Sequence, residues 1–284
     1  MKKTFLAITT ALWTLSNNSY ASEPPRIISA GSTVTELIYA LGAENTLVAV
    51  DSTSKHFVEG SDIPQVGYHR QLSTEGLLAL APDMIIGSPE MGPDTTINSL
   101  SSAGVKIEKV STGIDRAALN QRIDQVAALT GTETKAVELK QQINARLDKL
   151  ETRPLEQAPK VIFVMLSEGR PITVAGKGTP VDAVIELAGA ENPASTQFDS
   201  YKPMSIESVL ELQPDYILIS DRTLGIMGGI DTIMAKMPLL AATPAGINQQ
   251  IIPIPGRAII GGFGLESLEL SEDLHQQFEL GIAQ

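Results

Sequence analysis

The sequence predicts an α/β protein: two Rossmann-like lobes, a ligand cleft between them and a long helix as connector. Three observations predict it. In the first half, short apolar runs alternate with helical stripes in a βαβα rhythm, the pattern of a parallel sheet. The rhythm restarts after residue 160, and a segment of the first half recurs there. Between the halves lies a stretch with one glycine and no proline whose apolar residues keep a helical period.

In chain order, Arg26-Ile27-Ile28-Ser29 reads as the first strand. Ser32 or Thr33 is then placed to cap a helix, with Thr33-Val34-Thr35-Glu36 at capping-box spacing. Leu37, Ile38 and Leu41 give that helix its apolar face and Gly42 stops it. Leu47–Val50 is a second strand, followed by an irregular polar segment to residue 66. Leu77, Leu78 and Leu80 lie on a short helix ending at Pro82. Met84–Gly87 is a buried strand, and Val105–Val110 alternates as a strand should. Leu119, Ile123, Val126 and Leu129 form one helical stripe. After Thr130-Gly131, the residues Val137, Leu139, Ile143, Leu147 and Leu150 continue a long helix. In the second half, Lys160–Met165, Asp215–Ser220 and Ile251–Ile254 read as strands, while Pro180–Leu187, part of Met227–Met237 and Glu266–Leu280 read as helices. The expected division is a first lobe over 22–130, a connecting helix over 131–153 and a second lobe over 154–284.

The repeat pairs Ser73-Thr74-Glu75, then Leu77-Leu78, Leu80 and Pro82-Asp83, with Ser205-Ile206-Glu207, then Val209-Leu210, Leu212 and Pro214-Asp215. Ahead of it, Ala30-Gly31 with Leu41-Gly42-Ala43-Glu44-Asn45 matches Ala175-Gly176 with Leu187-Ala188-Gly189-Ala190-Glu191-Asn192 in the same order. Two matches in one order indicate two lobes of like topology, and facing α/β lobes make a cleft at strand carboxyl ends.

A formal charge of -12 argues against nucleic acid or an anionic membrane surface as the main partner. Lys2 and Lys3, the apolar run Phe5–Leu15, and small residues at Ser19 and Ala21 read as a cleavable secretory signal over residues 1–21. Its removal takes two lysines and shifts the charge from -12 to -14. With no cysteine, neither a disulfide nor a lipid anchor is expected.

Tyr68, His69 and Arg70 put a phenol, an imidazole and a guanidinium on successive residues after Gly67. Phenolate is a recognised haem-iron ligand, and a nearby guanidinium favours the ionised phenol; a half-buried loop aromatic is the plainer alternative. In extended backbone His69 points away from Tyr68, and it stays open as a secondary ligand or hydrogen-bond partner. Glu75 and Glu207 each begin a short helix, where a carboxylate suits the helix dipole. Their matching placement on two lobes also presents paired acidic points to a symmetric basic partner. Three histidines, His56, His69 and His275, are too few for a dedicated zinc or manganese site. No Gly-x-Ser-x-Gly or His-Glu-x-x-His is present, and Gly176-Lys177-Gly178-Thr179 lacks Walker spacing. Gly261-Gly262-Phe263-Gly264 reads as a close-packing loop, with Phe263 a candidate to line the cleft.

The chain resembles the periplasmic substrate-binding proteins of bacterial haem ABC importers, within the class that also binds siderophores and cobalamin. The specific match is Val66-Gly67-Tyr68-His69-Arg70-Gln71-Leu72-Ser73; Ser29-Ala30-Gly31-Ser32, Glu36, Pro82-Asp83, Ala175-Gly176, Asp182 and Thr243-Pro244-Ala245 are shared more widely. The resemblance implies two lobes joined by one long helix, with limited hinge motion. It implies haem as the transported ligand, with Tyr68 as axial iron ligand and Arg70 supporting the phenolate. Tyr201, Lys202 and Met204 are its weaker candidates for the porphyrin or its propionates. Glu75 and Glu207 would meet an inner-membrane ABC permease dimer that works with an ATPase. The implied protein is a periplasmic monomer without enzymatic activity. Family members with a histidine after the strand have no counterpart here, where Val164-Met165-Leu166-Ser167-Glu168 stands. A ferric siderophore or a corrinoid is the alternative cargo; a secreted α/β enzyme has no nucleophile–base pair to support it.

Overall fold

The computed structural model describes residues 24–282; the expected signal segment, residues 1–21, lies outside them. The first half runs β1 (Ile27–Ala30), α1 (Ser32–Ala40), β2 (Leu47–Val50), α2 (Thr74–Leu78), β3 (Met84–Gly87), α3 (Asp94–Ser102) and β4 (Lys106–Lys109). Its sheet is wholly parallel, in the order β2-β1-β3-β4. The central β1 is buried throughout, as its unbroken Ile-Ile-Ser-Ala requires between two helical layers. Edge strand β4 exposes Lys106 and Lys109, charges that discourage further strand pairing.

Helices α4 (Arg116–Thr130) and α5 (Glu133–Glu151) follow. Asp115 caps α4 by accepting from the Ala118 N–H at 2.7 Å, and Gly131 ends it at φ 69°. The two apolar stripes therefore lie on two helices separated at Gly131, and α5 packs back against α4.

The second half contains β5 (Val161–Met165), β6 (Ile172–Ala175), α6 (Pro180–Leu187), β7 (Tyr201–Met204), α7 (Ile206–Glu211), β8 (Tyr216–Ser220), α8 (Asp221–Met227), α9 (Ile230–Lys236), α10 (Pro238–Ala241), α11 (Pro244–Ile247), β9 (Ile251–Ile254) and α12 (Leu265–Ile282). Its sheet order is β7-β6-β5-β8-β9. Strands β5, β8 and β9 run parallel, while β6 is antiparallel to both β5 and β7. The sequence reading has neither β6 nor β7. Pro203 sits inside β7, which is tolerated because β7 is an edge strand and its free side needs no donor.

The sequence repeat is a repeat of hydrogen bonds. Ser73 caps α2 through the Gly76 N–H, and Ser205 caps α7 through the Ser208 N–H. Each helix unwinds at a positive-φ residue before proline: Ala81 at 45° and Gln213 at 46°. The following aspartate grips the residue just before the neighbouring strand. Asp83 accepts from Arg26 N–H at 2.7 Å, and Asp215 from Lys160 N–H at 2.8 Å.

The expected capping box on α1 does not form. Gly31 precedes the helix, and no side chain caps it. Glu36 instead turns to the far end of the chain, accepting from the N–H groups of Leu265 (2.8 Å) and Glu266 (2.5 Å) at the start of α12. Buried Arg122 of α4 donates to the carbonyls of Ser111, Gly113 and Phe263. Phe263 is buried in the core and does not line the cleft, whereas the close packing of its glycines holds: a Cβ on Gly264 would collide with Glu36 Oε2. One apolar core runs through Ile27, Leu37, Ile123, Leu147, Phe163, Leu268 and Phe278, so the two sheets share a spine of α4, α5 and α12.

Candidate ligand cleft

The segment leaving the carboxyl end of β9 is fastened to the carboxyl end of β1: Thr33 Oγ1 donates to Gly261 O at 2.9 Å. This brings the carboxyl edges of both sheets together, where α/β proteins bind ligands. The Tyr68 turn is built on that edge. Val66 N–H donates to Val50 O and Ser52 N–H to Gly67 O at 2.7 Å, laying the chain along the end of β2. Gly67 turns at φ 87°, a left-handed conformation that a side chain would strain. A single 3₁₀ turn over His69–Gln71 follows, closed by Gln71 N–H donating to Tyr68 O at 2.8 Å.

Tyr68 is 40% exposed, and its hydroxyl has no hydrogen-bond partner among the described residues. His69 is turned into the fold. It is 4% exposed, and its Nδ1 lies 2.9 Å from Asp51 Oδ2. Arg70 does not contact the Tyr68 hydroxyl; its guanidinium pairs with Glu90, both side chains being about half exposed. That pairing has a backbone cause. Gly92 N–H donates to His69 O at 3.0 Å and Leu72 N–H to Gly92 O at 2.8 Å, stitching the 88–92 segment to the tyrosine turn.

The three second-half candidates do not converge. Successive strand residues face opposite sides, so Tyr201 and Met204 lie on different faces of β7. Tyr201 packs on the shared core, and burial pushes its phenol up to about 12, against a smaller opposing effect of a hydrogen bond with Thr179. Lys202 is exposed. Met204 lines a cavity of about 370 Å³ with Arg170, Ile172, Ile206, Met237 and Leu239. Glu75 and Glu207 are both exposed in the first turns of α2 and α7.

Sequence reasoning missed the apolar residues at the second sheet's carboxyl edge. Met165 ends β5, Ile226 lies on the helix after β8, and Ile260 follows β9; all three are exposed. Met165 had a signal, an apolar residue outlasting the buried run Val161–Val164, but it reads like one more strand residue. Among the described residues, no three His, Cys, Asp or Glu gather as a metal site, and no helix is long and apolar enough to cross a membrane.

Comparison with known proteins adds to this geometry. A family model described as "Periplasmic binding protein" matches residues 27–258. The periplasmic heme-binding protein HutB of Vibrio cholerae is 46% identical with a TM-score of 0.84, over 89% of this chain and 98% of that one. RhuT, a periplasmic heme-binding protein from Roseiflexus sp. RS-1 in apo form, is 34% identical at TM-score 0.84, over 92% and 100%. BhuT, solved in complex with two hemes, is 32% identical at TM-score 0.82, over 91% and 99%. A vitamin B12-binding protein of Vibrio parahaemolyticus is 30% identical over 206 residues, 72% of this chain and 74% of the relative.

Proposed function

The chain belongs to the periplasmic binding protein family, and from that premise we propose that it captures ferric haem in the periplasm and delivers it to an ABC importer. The observation that carries the reading is the exposed, unpartnered Tyr68 phenol at the carboxyl edge of the first sheet. Phenolate is a strong ligand for ferric iron in haem. Arg70 can leave its exposed pair with Glu90 and stabilise the ligated oxygen, because such a surface pair holds by only about 0.2–1 kcal/mol. Across the cleft, Met165 and Ile260 offer apolar cover to the macrocycle, and exposed Arg170 suits a propionate. The solved relatives named for heme support this cargo at 32–46% identity over nearly their whole length.

The rest of the reading concerns delivery. Glu75 and Glu207, one on each repeat, would dock on basic residues of a permease dimer coupled to its ATPase. The protein would travel as a free monomer after loss of residues 1–21, hinged about the helix at 131–153, and make or break no bond in its cargo. Corrinoid is the second reading, favoured by the vitamin B12-binding relatives.

One titration separates the two. Ferric haem added to the purified protein should give a saturable Soret change with phenolate-to-iron charge-transfer bands, and Tyr68→Phe should lose the bands. Cyanocobalamin added in parallel should give visible spectra that are the plain sum of protein and ligand. Saturable corrinoid binding without saturable haem binding would overturn the proposal.

A further inference from the structure

What holds Tyr68 in place is not its hydroxyl, which has no partner among the described residues, but the ring beneath it. The Tyr68 and His69 rings lie with centroids 4.5 Å apart, tilted by 58°. His69 is in turn fixed from below. With the carboxylate oxygen as acceptor, Nδ1–H donates to Asp51 Oδ2 at 2.9 Å.

Asp51 is itself wholly buried and held on several sides. Thr53 Oγ1 donates to its carboxylate at 2.8 Å and Ser54 Oγ at 2.9 Å. Thr35 Oγ1 donates to Ser54 Oγ at 2.7 Å and also lies 2.7 Å from Ser29 Oγ, tying the group to α1 and β1. The Asp51 N–H donates to Ser29 O at 2.9 Å, so the main chain is anchored too. A chain of contacts thus runs from the central strand through Thr35, Ser54, Asp51 and His69 to the Tyr68 ring. A buried polar network of this kind rigidifies what it touches when its members are satisfied.

We propose that Asp51 and His69 are positioning residues for the iron ligand, forming a buried clamp whose imidazole ring fixes the Tyr68 ring in the orientation that meets the haem iron. The proposal rests on the haem reading above. It assigns His69 a place behind the ligand, not on the metal. The general precedent is the outer-shell partner that orients a ligating side chain, whose loss costs about 10–100-fold in metal affinity.

The test compares His69→Asn with Asp51→Asn in the full chain. In His69→Asn the new side-chain amide keeps a donor near the Nδ1 position, so the Asp51 carboxylate stays paired and the fold is preserved, while the ring under Tyr68 is gone. In Asp51→Asn the new side-chain carbonyl is a weaker, uncharged acceptor for Nδ1–H, so the ring stays in the fold but is held less firmly. Ferric haem release to excess apomyoglobin is timed, and the charge-transfer bands and ferric EPR signal are recorded, each beside a thermal melt. The expected result for His69→Asn is release about 10–100-fold faster, with weakened bands and a heterogeneous high-spin signal at nearly unchanged melting temperature. Asp51→Asn should speed release and weaken the bands in the same direction by a smaller factor. A merely structural role would lower the melting temperature and leave the spectra alone. Parent-like release and spectra in His69→Asn, with Tyr68→Phe still losing its bands, would overturn the clamp and leave the haem reading standing. Complete loss of iron ligation in His69→Asn alongside ligation surviving in Tyr68→Phe would overturn the clamp and the Tyr68 assignment together, making the imidazole the ligand with haem still the cargo.

Discussion

The two halves of this molecule are built on one pattern of hydrogen bonds and differ in what they present at the cleft. Ser73 and Ser205 cap equivalent helices, and Asp83 and Asp215 grip equivalent strand starts. Yet the first half exposes the Tyr68 phenol on a glycine turn, while the second half packs Tyr201 against the shared core. The difference lies in which segment bears the aromatic residue. Tyr68 stands on a turn outside the sheet; Tyr201 stands in an edge strand paired with Ala175, so its ring falls on a helical layer. A repeated scaffold therefore supplies two frames, and loop chemistry decides which of them exposes a phenol at the cleft.

Replacing each tyrosine by phenylalanine should break that equivalence by the largest margin. Tyr68→Phe should weaken ferric haem binding by more than about 100-fold, exceeding the loss of an outer-shell partner. Tyr201→Phe removes a partly buried hydroxyl, at about 0.5–1.5 kcal/mol in stability, and should leave haem affinity within about two-fold. Equal loss of haem in the two variants, measured by titration beside a denaturant melt, would mean that the lobes share the iron ligand.

The next effect concerns how the halves are joined. Glu36 of the first half caps α12, and burial pushes its carboxyl up to about 7, with Glu266 adding to that and the two N–H donors and Arg122 opposing it. Glu266 itself pairs with Arg257 and lies 3.2 Å from His56, so those groups face the same junction. The folded state holds the Glu36 proton to higher pH than the unfolded chain does. The stability this gives is complete below about pH 4.5 and is lost as pH rises through about 7. Across that window it amounts to a few kcal/mol, at about 1.4 kcal/mol for each tenfold difference in proton affinity. In Glu36→Gln the fall in unfolding free energy between pH 5 and pH 8 should shrink by that amount. An unchanged pH slope, read from urea melts, would show that the junction does not titrate there.

These residues also show where the sequence was legible. Ser73 and Ser205 with their Pro-Asp partners could be read because capping and strand-start bonds are local, and local chemistry repeats with the sequence. Glu36 could not, because capping-box spacing is a local signature and its true partners lie 229 and 230 residues away. The same holds for Tyr68, whose exposure follows from the Gly67 turn, against His69 and Arg70, whose partners Asp51 and Glu90 are set by how the 50–54 and 88–92 segments fold onto that turn. Strand β6 escaped because its Ile172–Ala175 is short and pairs antiparallel in a half whose other apolar runs read as parallel strands.

The smallest effect compares two rim pairs, Arg70–Glu90 in the first half and Lys236–Glu168 in the second, all four side chains about half exposed or more. Exposed pairs of this kind stabilise by about 0.2–1 kcal/mol, so neither Glu90→Gln nor Glu168→Gln should move a melt by more than that. Their effects on cargo should nonetheless differ. Glu90 is stitched beside the tyrosine turn by the Gly92 backbone bonds, so it competes with a phenolate for the Arg70 guanidinium and adds a negative charge near it. Freeing Arg70 in Glu90→Gln returns the energy of that pair to the ligated state, a gain of about two- to five-fold in haem affinity for about 0.5–1 kcal/mol. Lys236–Glu168 has no iron ligand to compete with, and its loss should leave affinity unchanged. A Glu90→Gln variant that binds haem no better, while Arg70→Ala binds it worse, would mean that Arg70 reaches the phenolate without leaving Glu90.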